Sequence, residues 1–259
     1  MEINSVISIL QQYSIEVYNM LKNYQFDNQK TNKINISGDN VKKLDEMADK
    51  IFEKVMKRSS LIYGFISEER DNMVITNNKG SYIVTVDPLD GSQNLDIGFN
   101  VGAIFGIYKT NNLLNIKSGR DLLAAGYTIF STSLQFVFAS DSQINFYRYN
   151  HSDLWIKYYS NHKIPNCGKI YSINEGISNY FDDEIINFLN KLKGRSIRWM
   201  GCMVTDVHRN LIEGGCFLYP TNKKSKYGKL RLIYELYPMA FIWELCGGYA
   251  YINLGKEKI

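Results

Sequence analysis

The sequence predicts an α/β protein built in helix–sheet–helix layers, and three observations carry that reading. Segments with helical apolar spacing alternate with short apolar runs rich in Val, Ile, Tyr and Phe. Two of those runs, Leu61–Ile66 and Tyr82–Val86, are followed within two residues by carboxylates. In α/β sheets, ligands gather at the carboxyl ends of strands. Near Pro165-Asn166-Cys167-Gly168 the pattern changes, which divides the chain into residues 1–165 and 166–259.

The elements follow in order. Ile3, Val6, Ile7, Leu10, Val17, Met20 and Leu21 mark one face of an amphipathic helix. Residues 24–37 are polar, rich in Asn, Gln and Lys, and read as a long loop. Gly38-Asp39-Asn40 opens a second helix, with Asp39 as its N-cap and Val41, Leu44, Ala48, Ile51 and Val55 as its buried stripe. On spacing alone Asp45 is a solvated acid of that helix. Strands are expected at Leu61–Ile66, Tyr82–Val86, Val101–Tyr108, Ala124–Phe130, Leu134–Ala139, Ile144–Arg148 and Leu154–Tyr159.

In the second half, strands are expected at Ile170–Ile173, Ile197–Met200 and Cys216–Tyr219. Asp182 caps a helix to about Leu192. Thr205 or Asp206 starts another, which Gly214-Gly215 ends. Pro238 opens a last helix that Gly247-Gly248 stops, and Tyr249–Leu254 forms a final strand.

Composition excludes several function classes. The 259 residues are 45% hydrophobic and 22% charged, which suits a globular core rather than a disordered chain. Thirty basic against 26 acidic residues leave a net charge of +4, too slight for a nucleic-acid binder but compatible with an anionic small substrate. No apolar run approaches a membrane span, no signal peptide is evident, and a cytoplasmic setting is expected. Cys167, Cys202, Cys216 and Cys246 form no CxxC pair. The last three lie in apolar surroundings and read as ordinary core thiols.

The chemistry centres on Asp87-Pro88-Leu89-Asp90-Gly91-Ser92-Gln93-Asn94. Two carboxylates stand beside a Gly-Ser turn whose backbone N–H groups suit an anion. A hard divalent cation between acid and phosphate reconciles the two. Asp39, Asp45, Glu68, Glu69, Asp87, Asp90 and Glu235 are candidate acids, an all-oxygen set suited to Mg²⁺ or Mn²⁺ and not to zinc. Glu69 and Asp45 suit a water-activating role. Asn174, Arg198, Tyr219, Lys229 and Arg231 offer donors for a second phosphate. Metal acids at one end and cations at the other suit a sugar bisphosphate.

These motifs resemble those of class I fructose-1,6-bisphosphatases. The likeness rests on Gly38–Asp45, Ser67-Glu68-Glu69, the Asp87–Ser92 run with Asn94 and Asp96, Gly102–Tyr108 and Tyr171–Gly176. It continues through Asp206–Arg209, Tyr219-Pro220, Asn222–Ser225 and Gly228–Glu235. The resemblance implies a layered α-β-α-β-α sugar-phosphatase fold and Mg²⁺-dependent removal of the 1-phosphate of fructose 1,6-bisphosphate, a gluconeogenic step. It implies metal ligation by Glu68, Asp87, Asp90, Glu235 and the Leu89 carbonyl. Asp45 and Glu69 would activate water, and Asp39 would complete the closed site. Gly91 and Ser92 would hold the 1-phosphate. Asn174, Arg198, Tyr219 and Lys229 would hold the 6-phosphate, while Met203 and Lys229 touch the sugar. Arg198 would reach a neighbouring subunit, implying a homodimer or homotetramer. Sedoheptulose-bisphosphatase, another sugar phosphatase and a non-catalytic sugar-phosphate-binding relative are the alternatives.

The chain also departs from the pattern. Gln93 stands where a second serine is usual, and Ile177 and Trp199 replace tyrosines. Each such replacement is expected to lose a hydroxyl, about 0.5–1.5 kcal/mol per neutral hydrogen bond. Against the family the chain begins late and ends early. Ser81 and Lys109 stand where AMP-regulated members carry lysine and arginine, so weak or absent AMP inhibition is the expectation.

Overall fold

The computed structural model describes residues 2–23, 30–34, 40–150, 152, 154–252, 254 and 257–259, with backbone only for 30–34, 40–42 and 257–258. Its helices are α1 (Glu2–Asn23), α2 (Lys43–Met56), α3 (Asp183–Lys191), α4 (Met203–Glu213) and α5 (Tyr237–Leu245). The strands of the first half are β1 (Lys30–Ile34), β2 (Asn40–Lys42), β3 (Ile62–Ser67), β4 (Val74–Ile75), β5 (Tyr82–Asp90), β6 (Val101–Tyr108), β7 (Ala124–Phe130), β8 (Gln135–Ser140), β9 (Gln143–Tyr149) and β10 (Trp155–Ser160). Those of the second half are β11 (Ile170–Ser172), β12 (Ser196–Ile197), β13 (Gly215–Phe217), β14 (Tyr251–Ile252) and β15 (Glu257–Lys258).

Strands β3 to β10 form one eight-stranded sheet in the order β10-β9-β8-β7-β6-β5-β3-β4. β3 and β5 run parallel, and the other pairs are antiparallel. β5 and β6 are buried at every residue, so both faces of the sheet are covered. Side chains alternate across a strand. Ala103, Phe105 and Ile107 pack toward α1 and α2, while Ile104 packs toward α4 and α5. A smaller parallel sheet, β12-β11-β13, lies on the far side of α4. There Asn210 of α4 donates to the Ser172 hydroxyl of β11 at 2.9 Å. Tyr171 and Ile173 pack instead with Leu189 and Leu192 at α3. The succession is α1/α2, large sheet, α4/α5, small sheet, α3, which is the expected α-β-α-β-α layering.

Helix α1 forms because Val6, Leu10, Tyr13 and Val17, all fully buried, recur on one face. Each such side chain contributes about 1.5–3 kcal/mol on burial. The Tyr13 ring stands edge-on to Phe52 of α2 and Phe105 of β6, at centroid distances of 5.0 and 5.7 Å. Its hydroxyl donates to the Pro88 carbonyl at 2.7 Å. The first helix is thereby tied to the strand that carries Asp87 and Asp90.

Three local expectations are corrected. The long polar loop contains strand β1, which pairs with β2 just beyond it. Asp39 lies outside the described residues, and α2 begins at Lys43, so Val41 belongs to a strand and not to the helix stripe. Helix α4 begins at Met203 with Cys202 as its N-cap residue, before Thr205 and Asp206. Asp206 lies inside the first turn. From there it accepts from the Met200 N–H at 3.0 Å and the Gly201 N–H at 3.2 Å, orienting the segment that leads into the helix.

Tyr13→Phe leaves the buried Pro88 carbonyl without its donor, and the expected loss is about 1–3 kcal/mol. Equilibrium urea unfolding measures it; a loss no larger than that of an exposed Tyr→Phe control would remove this tie from the account.

Candidate active site

Pro88 has no N–H to give the sheet ladder, and a central strand accommodates proline only at an irregularity. The ladder is irregular here: Asp87 pairs with Ile104, but Asp90 pairs with Gly102. Three steps along β5 match two along β6, which is one extra residue, a β-bulge. In a regular strand, residues three apart face opposite sides. The bulge removes that half-turn and lets both carboxylates reach one site. Glu235 joins them from a π-helical turn, Leu232–Leu236, that runs into α5. Carboxylate oxygens of Asp87, Asp90 and Glu235 all lie within 4.8 Å of one another, and all three residues are buried.

Burial first, then the neighbouring charges of Glu68, Asp90 and Glu235, holds the Asp87 carboxyl well above its ordinary range. Burial and then Glu68 do the same to Glu235. Asp90 is raised by burial, against the opposing effect of donors at Val204, Cys202 and Met203. The Val204 N–H at 2.6 Å and the Cys202 thiol at 3.1 Å both meet Oδ2. Asp87 accepts from the Leu89 N–H at 3.1 Å.

Residue type places Arg231 with the second-phosphate donors, but the structure sets it at the carboxylate cluster instead. Its Nη2 lies 2.6 Å from Glu68 Oε1, and its backbone N–H donates to Glu235 Oε2 at 2.7 Å. The π-helical turn that brings in Glu235 thus starts from an arginine paired to the Glu68 carboxylate.

Glu68 and Glu69 follow β3 in a turn. The Glu68 N–H donates to the Val86 carbonyl, which fixes the turn beside β5. Glu69 Oε2 is buried with no hydrogen-bond partner among the described residues. Burial, followed by the charges of Asp45 and Glu68, pushes Glu69 up to about 8. Asp45 is buried on α2 and not solvated as its spacing suggests. Its Oδ2 accepts from the Ser92 hydroxyl at 3.3 Å, so helix α2 and the Gly91-Ser92 turn meet there.

Gly91 has φ +73°, a conformation that a side chain resists. A Cβ there would lie 2.4 Å from the Cys202 Cβ. A Cβ on Gly102 would lie 2.7 Å from Val204. The two glycines let the start of α4 descend onto β5 and β6, where it reaches Asp90. Asn94, also buried, donates to the Met200 carbonyl at 3.0 Å from the same turn. Gln93 is exposed on that turn.

The sugar-end candidates are more open. Trp199 stacks on Phe217 at 6.1 Å and lies 6.0 Å from Tyr219, a residue 39% exposed. Trp199 keeps a ring N–H, so its replacement of tyrosine removes a hydroxyl without removing a donor. Ile177 packs with the small-sheet core and offers none. Asn174 is exposed, and its side chain accepts from the Gly176 N–H at 3.1 Å. Arg198 is exposed with Nη1 on the Ile197 carbonyl, Lys229 is exposed, and Met203 is buried at the start of α4. Among the described residues the structure does not draw Asn174, Arg198 or Lys229 into the carboxylate cluster.

Residue-type reasoning missed Asp49, Arg70 and Cys202. The four-residue spacing of Asp45, Asp49 and Glu53 was a usable signal for the first, since it puts the three acids along one side of α2. Nothing in the spacing marked Cys202.

The domain model for fructose-1,6-bisphosphatase, N-terminal domain, matches residues 28–158, and that for the C-terminal domain matches residues 164–259. The chain is 38% identical over 240 residues to the cytosolic fructose-1,6-bisphosphatase of Saccharum hybrid, a match covering 86% of this chain and 69% of that protein. It is 38% identical over 239 residues to the fructose-1,6-bisphosphatase of Schizosaccharomyces pombe, covering 86% and 68%. The crystal structure of Leishmania major fructose-1,6-bisphosphatase in holo form superposes with a TM-score of 0.90 at 28% identity, covering 98% of this chain and 85% of that one. No helix among the described residues is long and apolar enough to cross a membrane. Matched through both domains and along most of its length, this chain belongs to the fructose-1,6-bisphosphatase family.

Proposed function

We propose that this chain hydrolyses the 1-phosphate of fructose 1,6-bisphosphate, giving fructose 6-phosphate and phosphate. The observation that carries the chemistry is the buried Asp87–Asp90–Glu235 cluster, adjoining the Gly91-Ser92 turn. Three buried carboxylates, each raised above its ordinary range, are a donor set for a hard divalent cation. The all-oxygen chemistry favours Mg²⁺, with Mn²⁺ as the alternative. Glu68 and the Leu89 carbonyl complete the proposed ligands. When bound, the metal offsets charge on the phosphoryl group and on the leaving oxygen.

The chain's own groups have distinct roles in this reading. Glu69 and Asp45 orient the attacking water and take its proton; the unpartnered Glu69 Oε2 supports that role. Asp39 joins the closed site on the strength of the family resemblance alone. Backbone N–H groups at Gly91 and Ser92 hold the transferred phosphate. Asn174, Arg198, Tyr219 and Lys229 bind the 6-phosphate, and Met203 and Lys229 border the sugar. Residues 1–165 hold most of the metal site and 166–259 the sugar end, with Glu235 crossing the division. We further propose a cytoplasmic homodimer or homotetramer in which Arg198 reaches the neighbouring site. The exposure of Arg198 and the cytosolic names of the plant relatives support this.

Phosphate release from fructose 1,6-bisphosphate is expected in Mg²⁺ and absent in EDTA. Glu69→Gln should lower kcat by about 10²–10⁴-fold with little change in KM. A folded sample with no Mg²⁺-dependent release would overturn the reading.

Stability should also depend on pH in a stated direction. Glu69 rises from 4.5 to about 8 on folding in the absence of metal. An acid raised in this way contributes stability that is complete below its unfolded value and lost as pH climbs through its folded one. In EDTA the melting temperature is therefore expected to fall from about pH 5 to about pH 8, and Glu69→Gln should shrink that fall. Mg²⁺ should restore stability chiefly at the alkaline end. A Glu69→Gln melting profile parallel to wild type across this range would contradict it.

A further inference from the structure

Arg70 follows the two glutamates of the β3 turn, and its side chain leaves that turn toward α2. Its Nε donates to Asp49 Oδ2 at 2.7 Å, and its Nη2 lies 2.6 Å from both Asp49 Oδ2 and Glu53 Oε2. The guanidinium sits over the Phe65 ring at 5.3 Å, and Phe65 meets Phe52 of α2 edge-on. The Asp49 side chain is 7% exposed and that of Arg70 24%, so the contact is partly buried and less open to solvent than a surface pair. Planar guanidinium suits such a bridge, because one fork of donors reaches two carboxylates while its face rests on a ring.

The partners matter because of where they stand. Asp49 and Glu53 lie one and two turns along α2 from Asp45. Arg70 is the residue after Glu69, and its N–H closes the turn on the Ser67 carbonyl at 3.2 Å. The same turn is drawn the other way at Glu68, by Arg231 at 2.6 Å. Asp49, Glu69 and Arg70, with Glu46 and Lys50, line one cavity of about 210 Å³. A turn three residues long is thus held between two arginine contacts, one to the metal cluster and one to the helix that carries Asp45.

We propose that Arg70, bridged to Asp49 and Glu53, is a positioning residue that locks the Glu68-Glu69 turn to α2 and so sets Glu69 against Asp45. The inference rests on the reading of Asp45 and Glu69 as the water-activating pair. Among the described residues the Arg70 side chain meets Asp49, Glu53 and Phe65 and none of the proposed metal ligands. Its loss acts on the geometry of the reacting groups and leaves substrate binding in place.

The test uses the full chain. Arg70→Met with Asp49→Asn removes the bridge without stranding a buried charge. In the folded double variant kcat is expected to fall by about 10–100-fold, the scale of a slightly misplaced reacting group, with KM close to wild type. R70K keeps the charge but not the fork, and should recover only part of kcat. Amide hydrogen exchange of R70K supplies a readout independent of turnover: Glu68, Glu69 and position 70 should exchange faster while β6 is unchanged. If the double variant does not fold, R70K carries the test. Unchanged kcat in either folded variant, a change confined to KM, or unchanged exchange at the turn would overturn the proposal. Wild-type protein without activity would defeat the functional reading instead, and the exchange comparison would still decide whether Arg70 holds the turn.

Discussion

Asp87, Asp90 and Glu235 bring like charges together in a space that water scarcely reaches. Left alone, such a group raises its affinity for protons or drives the residues apart. The surrounding fold answers with donors and cations on each side. A backbone N–H and a thiol meet Asp90, a backbone N–H meets Asp87, and Arg231 bridges toward Glu68 and Glu235. The first turn of α4 also presents the positive end of its dipole to Asp90. A divalent cation suits this arrangement because it supplies what remains uncompensated. The bulge at Pro88, the glycines that admit α4 and the π-helical turn at Glu235 are the geometric means by which the cluster is assembled.

The layering has a direct chemical purpose in this light. Helix α4 is covered on one side by the large sheet and on the other by the small one. A helix held on two faces has little freedom to shift, so the N–H it offers Asp90 is fixed in place. Tyr13 extends the same fixation from below, since α1 grips the Pro88 carbonyl between the two strand acids. Removing a contact far from the carboxylates therefore acts on the site through backbone position.

Much of the fold could be read from spacing. The α1 stripe, the hairpin of β7 with β8, and the helices opened by Asp182 and Pro238 all lie where apolar periodicity and turn residues put them. The β1–β2 pair escaped because its residues are polar and carry no period. The start of α4 escaped because Cys202 is a poor cap, and the acid that steadies the approach, Asp206, sits inside the helix. At the site, Asp87 and Asp90 were legible as a local motif. Arg231 was not, because its residue type fits a phosphate donor equally well and only the fold gives it a carboxylate partner. Asp49 and Arg70 carry no motif of their own, and sequence does not reveal that α2 and Phe65 bring them together. Cys202 looked like a core thiol, and its contact with Asp90 depends on how closely Gly91 lets the two segments approach.

The short run from Arg198 to Val204 joins the edge of the small sheet to the start of α4. At one end stand the exposed arginine and the Trp199 ring; at the other, a backbone N–H rests on Asp90. Between them, Asn94 and Asp206 pin Met200 and Gly201 by hydrogen bonds. The segment behaves as a fixed ruler. The spacing between the Trp199 ring and the Asp90 carboxylate is therefore set by a backbone held at three successive points. A displacement at the exposed edge of the small sheet is carried along this segment to the buried acids.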